Sequence, residues 1–325
     1  MMDWTDRHCR VLHRLISKET LLYSEMVTTG ALIHGDQARH LDFDELEHPL
    51  VLQLGGSEPE DLAQCAKLAQ DWGYDEVNLN CGCPSERVQR GAFGACLMAE
   101  PALVADAVKA MRDVVEIEVS VKHRIGIDEH ESYEFVRDFV GLVSEAGCRV
   151  FVVHARIAIL KGLSPKENRE IPPLRYEVVE RLKRDFPECY FVLNGGIQTQ
   201  QQVIDLLPKF DGLMLGRAAY HQPWLLSEWD ALCRSQGPSF DLRSGLDLEM
   251  ESRKLVEQKY VHYMHQQKLS HGTPWSHMSR HMLGLYHAVP GARLWRQVWS
   301  DASLKNLEPM AVMELAHEAM DRAHV

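Results

Sequence analysis

The sequence predicts an α/β chain: a (β/α)8 TIM barrel whose first strand is missing, followed by an all-helical domain. Between about residues 20 and 215, short runs rich in β-formers alternate with longer stretches of helical period, the sequence form of repeated βα units. A helix-period segment stands ahead of the first run with no strand before it. Beyond a turn-rich break, β-branched runs become scarce. An open doubly wound sheet is the competing architecture, since strand number alone does not exclude it. The 325 residues, 45% hydrophobic and 25% charged, suffice for one large α/β domain and a smaller one and are too apolar for disorder. They contain no apolar run near the ~18 residues of a membrane helix.

Taken in order, residues 5–17 read as a helix with Val11, Leu12, Leu15 and Ile16 on its apolar side. Strands are predicted at 21–25, 50–53, 76–80, 117–122, 149–153, 190–193 and 212–215, seven in all. The helices between them fall at 57–72, 101–111, 131–145, 174–185 and 198–207. In the first of these Ser57 is the expected cap, Glu60 follows three residues later, and Leu62, Ala66 and Ala69 share a stripe. Gln236-Gly237-Pro238-Ser239 marks a linker at 236–245 between a barrel domain at 1–235 and a helical domain at 246–325. Two or three helical patterns follow, at 249–265, 277–286 and 309–323.

The net charge of −12, from 35 Lys and Arg against 47 Asp and Glu, excludes a protein that coats nucleic acid or anionic membrane by bulk charge. It is also partitioned: residues 246–325 hold 9 basic and 9 acidic residues, so the acidity lies ahead of them. Eight scattered cysteines do not make a disulfide scaffold, and the amino terminus lacks a basic-then-apolar signal segment, so a reducing, cytoplasmic compartment is expected.

Working groups of such a barrel sit at the carboxyl ends of its strands. Here those ends read Gln53-Leu54-Gly55-Gly56, Asn78-Leu79-Asn80-Cys81-Gly82-Cys83-Pro84, Lys122-His123-Arg124, His154-Ala155-Arg156, Asn194-Gly195-Gly196 and Gly216-Arg217. A single Gly-Gly marks a turn as readily as a site. Glycines after both of the last two strands form the pattern of a phosphate cradle. Gln53 has the donor and acceptor to meet a heteroaromatic ring edge, and Lys122 supplies positive charge where a flavin becomes anionic on reduction. His154 ends an apolar run and is either a site residue or a core histidine. Cys83, between Gly82 and Pro84, is placed to serve as a general acid or nucleophile, a free thiol near pKa 8.5 being mostly protonated at neutral pH. A buried packing role and a metal pair with Cys81 are the alternatives, the latter lacking the second pair a zinc site needs. Cys96 lies near the same mouth.

Several segments together carry a resemblance. Met1-Met2-Asp3-Trp4-Thr5-Asp6-Arg7, Asn78 to Gly94, Lys122-His123-Arg124, His154-Ala155-Arg156 with Ser164-Pro165-Lys166-Glu167-Asn168-Arg169-Glu170, Asn194-Gly195-Gly196 and Gly216-Arg217 resemble the A subgroup of the tRNA-dihydrouridine synthase family. The resemblance covers essentially the whole chain. It implies an FMN-binding barrel with a helical tRNA-binding domain, reducing uridine at position 20 or 20a of the tRNA D-loop with NADPH as reductant. By matching position it assigns Cys83 as general acid. It gives Met2, Gln53, Lys122, His154, Asn194, Gly195, Gly196, Gly216 and Arg217 to FMN, and Asn80 and Arg124 to the target uracil. Lys166 and Arg169 fall to tRNA contact, with Arg156 in the same loop and Arg280, Arg293 and Arg296 in the helical domain. No membrane or protein partner is implied.

Three departures stand against the family pattern. Cys81 replaces an aliphatic residue, His123 replaces Thr or Met, and the family's first strand with its Ala-Pro is absent ahead of Met1. The last predicts a translation start upstream, adding a strand of about five or six residues. Basic residues on predicted mouth loops, Arg87, Arg90, Lys161 and those above, reconcile RNA binding with −12, because a Debye length near 8 Å screens a remote acidic surface. An FMN barrel acting on a free pyrimidine and a tRNA-binding protein without turnover are the rival readings.

Overall fold

Continuous apolar runs fold as strands buried on both faces, and the computed structural model, which describes residues 1–234 and 246–322, shows them in one parallel sheet. The strands are β1 (Leu22–Thr28), β2 (Leu50–Gly55), β3 (Glu76–Cys81), β4 (Glu118–Arg124), β5 (Val150–His154), β6 (Tyr190–Asn194) and β7 (Gly212–Met214). Each pairs with its sequence neighbours in the order β1 to β7. That sequential order is the barrel's, and it excludes the doubly wound alternative, whose order doubles back. Among the described residues β1 and β7 each have a single strand partner, so the sheet is one strand short of eight.

Helices cross between the strands at Pro59–Trp72, Pro101–Arg112, Tyr133–Glu145, Tyr176–Asp185 and Gln200–Leu206, close to their expected places. The first differs at its start. Ser57 does not cap it; Glu58 is the cap residue and Pro59, whose missing N–H costs nothing in a first turn, opens it. Thr199 and Gln202 open the last with a reciprocal capping box.

Two compact units divide the chain elsewhere than at the expected linker. The sheet unit comprises Met1–Met2, Leu21–Phe43 and His48–Gly216; the other comprises Asp3–Thr20, Asp44–Glu47 and the described part of Arg217–Val325. The expected linker, 236–245, lies outside the described residues. The physical reason for the different division is burial. The helix Arg7–Ile16 places Val11 and Leu12, both fully buried, in one core with Tyr260, Met264, Trp275, Trp295, Trp299 and Val312. Within that helical unit Glu257 is fully buried on the long helix Leu246–His271. It accepts hydrogen bonds from Tyr286 Oη (2.8 Å), Trp295 Nε1 (2.9 Å), Trp299 Nε1 (3.2 Å) and His317 Nε2 (2.8 Å). A helix at Ala292–Trp299 supplies both tryptophans, a segment in which no helix was expected. Among the described residues no helix is long and apolar enough to cross a membrane.

Candidate active site

Alternate residues of a strand point to one side, and in β3 these are Glu76, Asn78 and Asn80, three polar groups on a strand buried at every position. Their needs are met by a chain of hydrogen bonds. Asn80 Nδ2 donates to Gln53 Oε1 (2.9 Å), Gln53 Nε2 to Asn78 Oδ1 (2.8 Å) and Asn78 Nδ2 to Ser120 Oγ (2.7 Å). Ser120 Oγ donates in turn to Glu76 Oε1, which also accepts from Tyr23 Oη at 3.3 Å. Burial raises the Glu76 carboxyl to about 7, against the lowering effect of these two donors. Every amide in the chain therefore has a fixed orientation. Asn78 opens the strand-end motif legible in the sequence, where it was given no role, and Ser120 of β4 was not singled out there.

At the upper end of that chain the backbone turns sharply. Asn80 Oδ1 accepts from the N–H groups of Gly82 and Cys83, both at 3.0 Å, an Asx-type turn that ends the strand and brings out the Cys83 side chain. Cys83 O accepts from Ala95 N at 2.9 Å, and its half-buried thiol lies 3.6 Å from Ser85 Oγ. Gly94 makes this approach possible. With φ of +77°, a Cβ there would stand 2.7 Å from Cys83 O and 2.4 Å from Val88 Cγ1. Cys81, the last residue of β3, is fully buried and its thiol is pushed far up by burial. Cys96 is half-buried, bonded to Phe93 O at 3.1 Å, with its thiol also raised by burial.

Beside Asn80 in register lies Lys122 of β4. Its ammonium makes no hydrogen bond or ion pair with the described residues, and burial, then Arg124, pushes it down to about 8. Arg124 is anchored instead: Nε donates to Gly82 O (3.0 Å) and Nη1 to Ile157 O (3.0 Å) and Asn168 O (2.9 Å). His123 faces the other way, buried with Phe139 and Phe151 at ring distances of 5.2 and 5.8 Å, its Nδ1 donating to Arg124 O at 2.6 Å. On β5, His154 is held neutral, well below the usual imidazole range, by burial and then by Arg124, Lys122, Arg156 and Arg169. Its Nδ1 is buried without a hydrogen-bond partner.

The end of β6 completes this side. Asn194 Nδ2 donates to Met214 O of β7 at 2.8 Å, and Gly195 and Gly196 follow with φ of +113° and +75°. A Cβ on Gly195 would come within 3.3 Å of His154 Nε2; one on Gly196 would meet Leu174 Cδ1 at 2.4 Å. An orphaned imidazole nitrogen, an unpaired ammonium and backbone that tolerates no side chain are features a bound anionic heterocycle would satisfy, so the residues present fit FMN. Gly216 lies near Met1 Sδ, 3.5 Å from the position of an added Cβ, and Met2 is exposed.

The remaining expected residues divide by unit. Lys166 and Arg169 are exposed on the loop after β5, and Arg156 donates from Nη1 to Pro172 O and, at 3.4 Å, to Glu170 O. Arg217, directly after Gly216, and Arg280, Arg293 and Arg296 belong to the helical unit. Arg280 there pairs with Asp6 at 2.7 Å; Arg293 is exposed and Arg296 half-buried on Ala292–Trp299. Sequence reasoning also missed Gln89 and gave no role to Asn168. The motif beginning at Ser164 contained the second and the segment Asn78 to Gly94 the first, but neither spacing announced the long-range partners.

Comparison with known proteins gives the family. The family model described as dihydrouridine synthase matches residues 1–323. A protein named tRNA-dihydrouridine(20/20a) synthase from Pseudomonas aeruginosa is 56% identical, over 98% of this chain and 93% of its own length. One of the same name from Vibrio vulnificus is 53% identical over 97% and 94%, and one from Shigella flexneri 52% over 97% and 90%. With the model matched along nearly every residue and relatives more than half identical over the same span, the chain belongs to the dihydrouridine synthase family.

Proposed function

We propose that this chain reduces uridine to 5,6-dihydrouridine in the D-loop of tRNA, at position 20, position 20a or both, with FMN as bound cofactor and NADPH as reductant. The names carried by its relatives support the substrate. The observation that carries the chemistry is the Cys83 turn, pinned by Asn80 and Arg124 next to the partnerless Lys122 and His154 Nδ1.

Gln53, Lys122, His154, Asn194, Gly195, Gly196, Gly216, Met2 and Arg217 would hold the cofactor. When bound and reduced, FMN would supply the hydride for uracil C6. Cys83 gives its thiol proton to C5. Asn80 has both lone pairs of Oδ1 and one N–H committed to the protein, so its second N–H is the donor left for a uracil carbonyl. Arg124 likewise commits Nε and Nη1, leaving Nη2 for substrate. Lys122, cationic up to about pH 8, holds positive charge where negative charge develops. The target base must leave its stack to reach this point, as expected for recognition of a loop nucleotide. Lys166, Arg169 and Arg156 would meet phosphates, the helical unit with Arg280, Arg293 and Arg296 would extend the RNA contact, and the cytoplasm is the compartment of such a reaction.

Purified protein, assayed for bound flavin, NADPH consumption and dihydrouridine in unmodified tRNA by mass mapping, tests the reading. Expected is one non-covalent FMN and product at 20 or 20a. A chain that takes up no FMN, or binds tRNA without consuming NADPH, overturns it in favour of a binding protein. Equal turnover of free uridine overturns it in favour of a pyrimidine reductase.

A further inference from the structure

The carbonyls of the two residues on either side of Cys83, Gly82 and Pro84, are held by side chains that reach across to the same loop. On one side, Arg124 ties Gly82 O to Ile157 O and Asn168 O. On the other, Gln89 Nε2 donates to Pro84 O (2.8 Å) and to Leu160 O (2.9 Å). Both acceptors are carbonyl oxygens, so the orientation of the Gln89 amide is unambiguous. The loop thus gripped, 157–169, is knotted internally by the buried Asn168. Its Oδ1 accepts from Ile159 N (2.7 Å) and its Nδ2 donates to Ile159 O (2.8 Å), Leu163 O (3.2 Å) and Ser164 O (3.3 Å). The peptide that receives Arg124 is the one joining Asn168 to Arg169, next to the exposed Lys166 and Arg169.

We propose that Gln89 and Asn168 are positioning residues, and that through the two brackets the loop bearing Lys166 and Arg169 sets the placement of the Cys83 thiol. RNA engagement by the loop and delivery of the thiol proton are then one mechanical event, because the turn cannot shift without breaking bonds to the loop on both sides. The inference rests on the proposed tRNA reduction for its consequence, and on the bonds alone for the bracket itself. Neither residue touches a reacting atom. A misplacement of about 1 Å at a reacting group costs on the order of 100-fold in rate, which sets the scale expected.

Two variants test the positioning. Gln89→Met keeps the side-chain length and removes both donated bonds; Asn168→Asp keeps the acceptor of Ile159 N and removes the donors. Each is compared with wild type by iodoacetamide alkylation of Cys83 without RNA, followed by peptide mass, and by kinetics with unmodified tRNA. The expected result is a several-fold change in Cys83 alkylation for both variants. Alongside it, kcat should fall about 10- to 100-fold, with KM for tRNA and NADPH-driven flavin reduction close to wild type in both and Tm close to wild type in Gln89→Met, the variant that separates positioning from folding. The double variant should lose less than the product of the two single effects, the sign of a shared path. Wild-type alkylation of Cys83 in both variants, or a loss shared equally by flavin reduction, overturns the proposal. If wild type fails to reduce tRNA the proposed function falls, while the alkylation comparison still decides whether the brackets hold the thiol.

Discussion

Three cysteines stand near the strand ends, and their surroundings separate them. Cys83 is half-buried on a turn fixed by four hydrogen bonds from side chains, to Gly82 N and O, Cys83 N and Pro84 O, and by Ala95 N on Cys83 O, whereas Cys81 is fully enclosed and Cys96 is bonded to Phe93 O. Cys83→Ala should slow uridine reduction by the roughly 10²–10⁴-fold typical of losing a general acid while leaving flavin reduction by NADPH intact, and Cys81→Ala and Cys96→Ala should keep substantial activity. Single-turnover oxidation of pre-reduced protein by unmodified tRNA measures this, and a wild-type rate for Cys83→Ala removes the thiol from the reaction. Lys122 gives a second expectation. Burial lowers it to about 8, so it is charged at pH 7 and loses its charge as the pH rises through 8. Affinity for FMN should therefore fall between pH 7 and 9, and Lys122→Arg should flatten that fall, both read by flavin fluorescence titration. The strand-end residues were legible because each closes an apolar run. Gln89 was not, since its partner Leu160 lies 71 residues away and no local pattern announces the pairing.

Among the elements, buried parallel strands were read within one to three residues because their apolar runs have no other reading in a chain of regular βα alternation. The helix Ala292–Trp299 was missed: it is short, follows Pro290-Gly291, and gains its burial from tryptophans directed at a distant glutamate. Strand β3 carries its own prediction. Glu76 keeps its proton to about pH 7 in the folded chain and releases it near 4.5 when unfolded. The native state thus binds the extra proton between those values, and stability falls as pH rises through them, by roughly 3 kcal/mol at full effect. Glu76→Gln should remove that part of the slope in thermal unfolding between pH 5 and 8, and an unchanged slope would place the titration elsewhere. The loop after β5 carries another. Lys166→Ala with Arg169→Ala should weaken tRNA binding and reduce the salt dependence, with flavin reduction largely kept; equal loss of both would put these exposed residues in the cofactor site.

At the level of the molecule, composition and the alternation of elements made the two parts legible, but not which residues build each. The reason lies in Val11 and Leu12. Their helix was read correctly, yet nothing in a helical stripe says which core it joins, and they join one formed by residues more than two hundred positions later. A fragment of residues 246–325 should therefore fail to fold alone, showing low helicity by circular dichroism, since it lacks both side chains and Trp224, which packs against the same core. During synthesis the same interleaving becomes a matter of time. At about 5–20 residues per second, roughly 12 to 57 seconds separate the emergence of Leu12 from that of Tyr260 and Trp295. For that interval the apolar face of the first helix has no core to enter, which makes the nascent chain a client for whatever shelters hydrophobic segments at the ribosome.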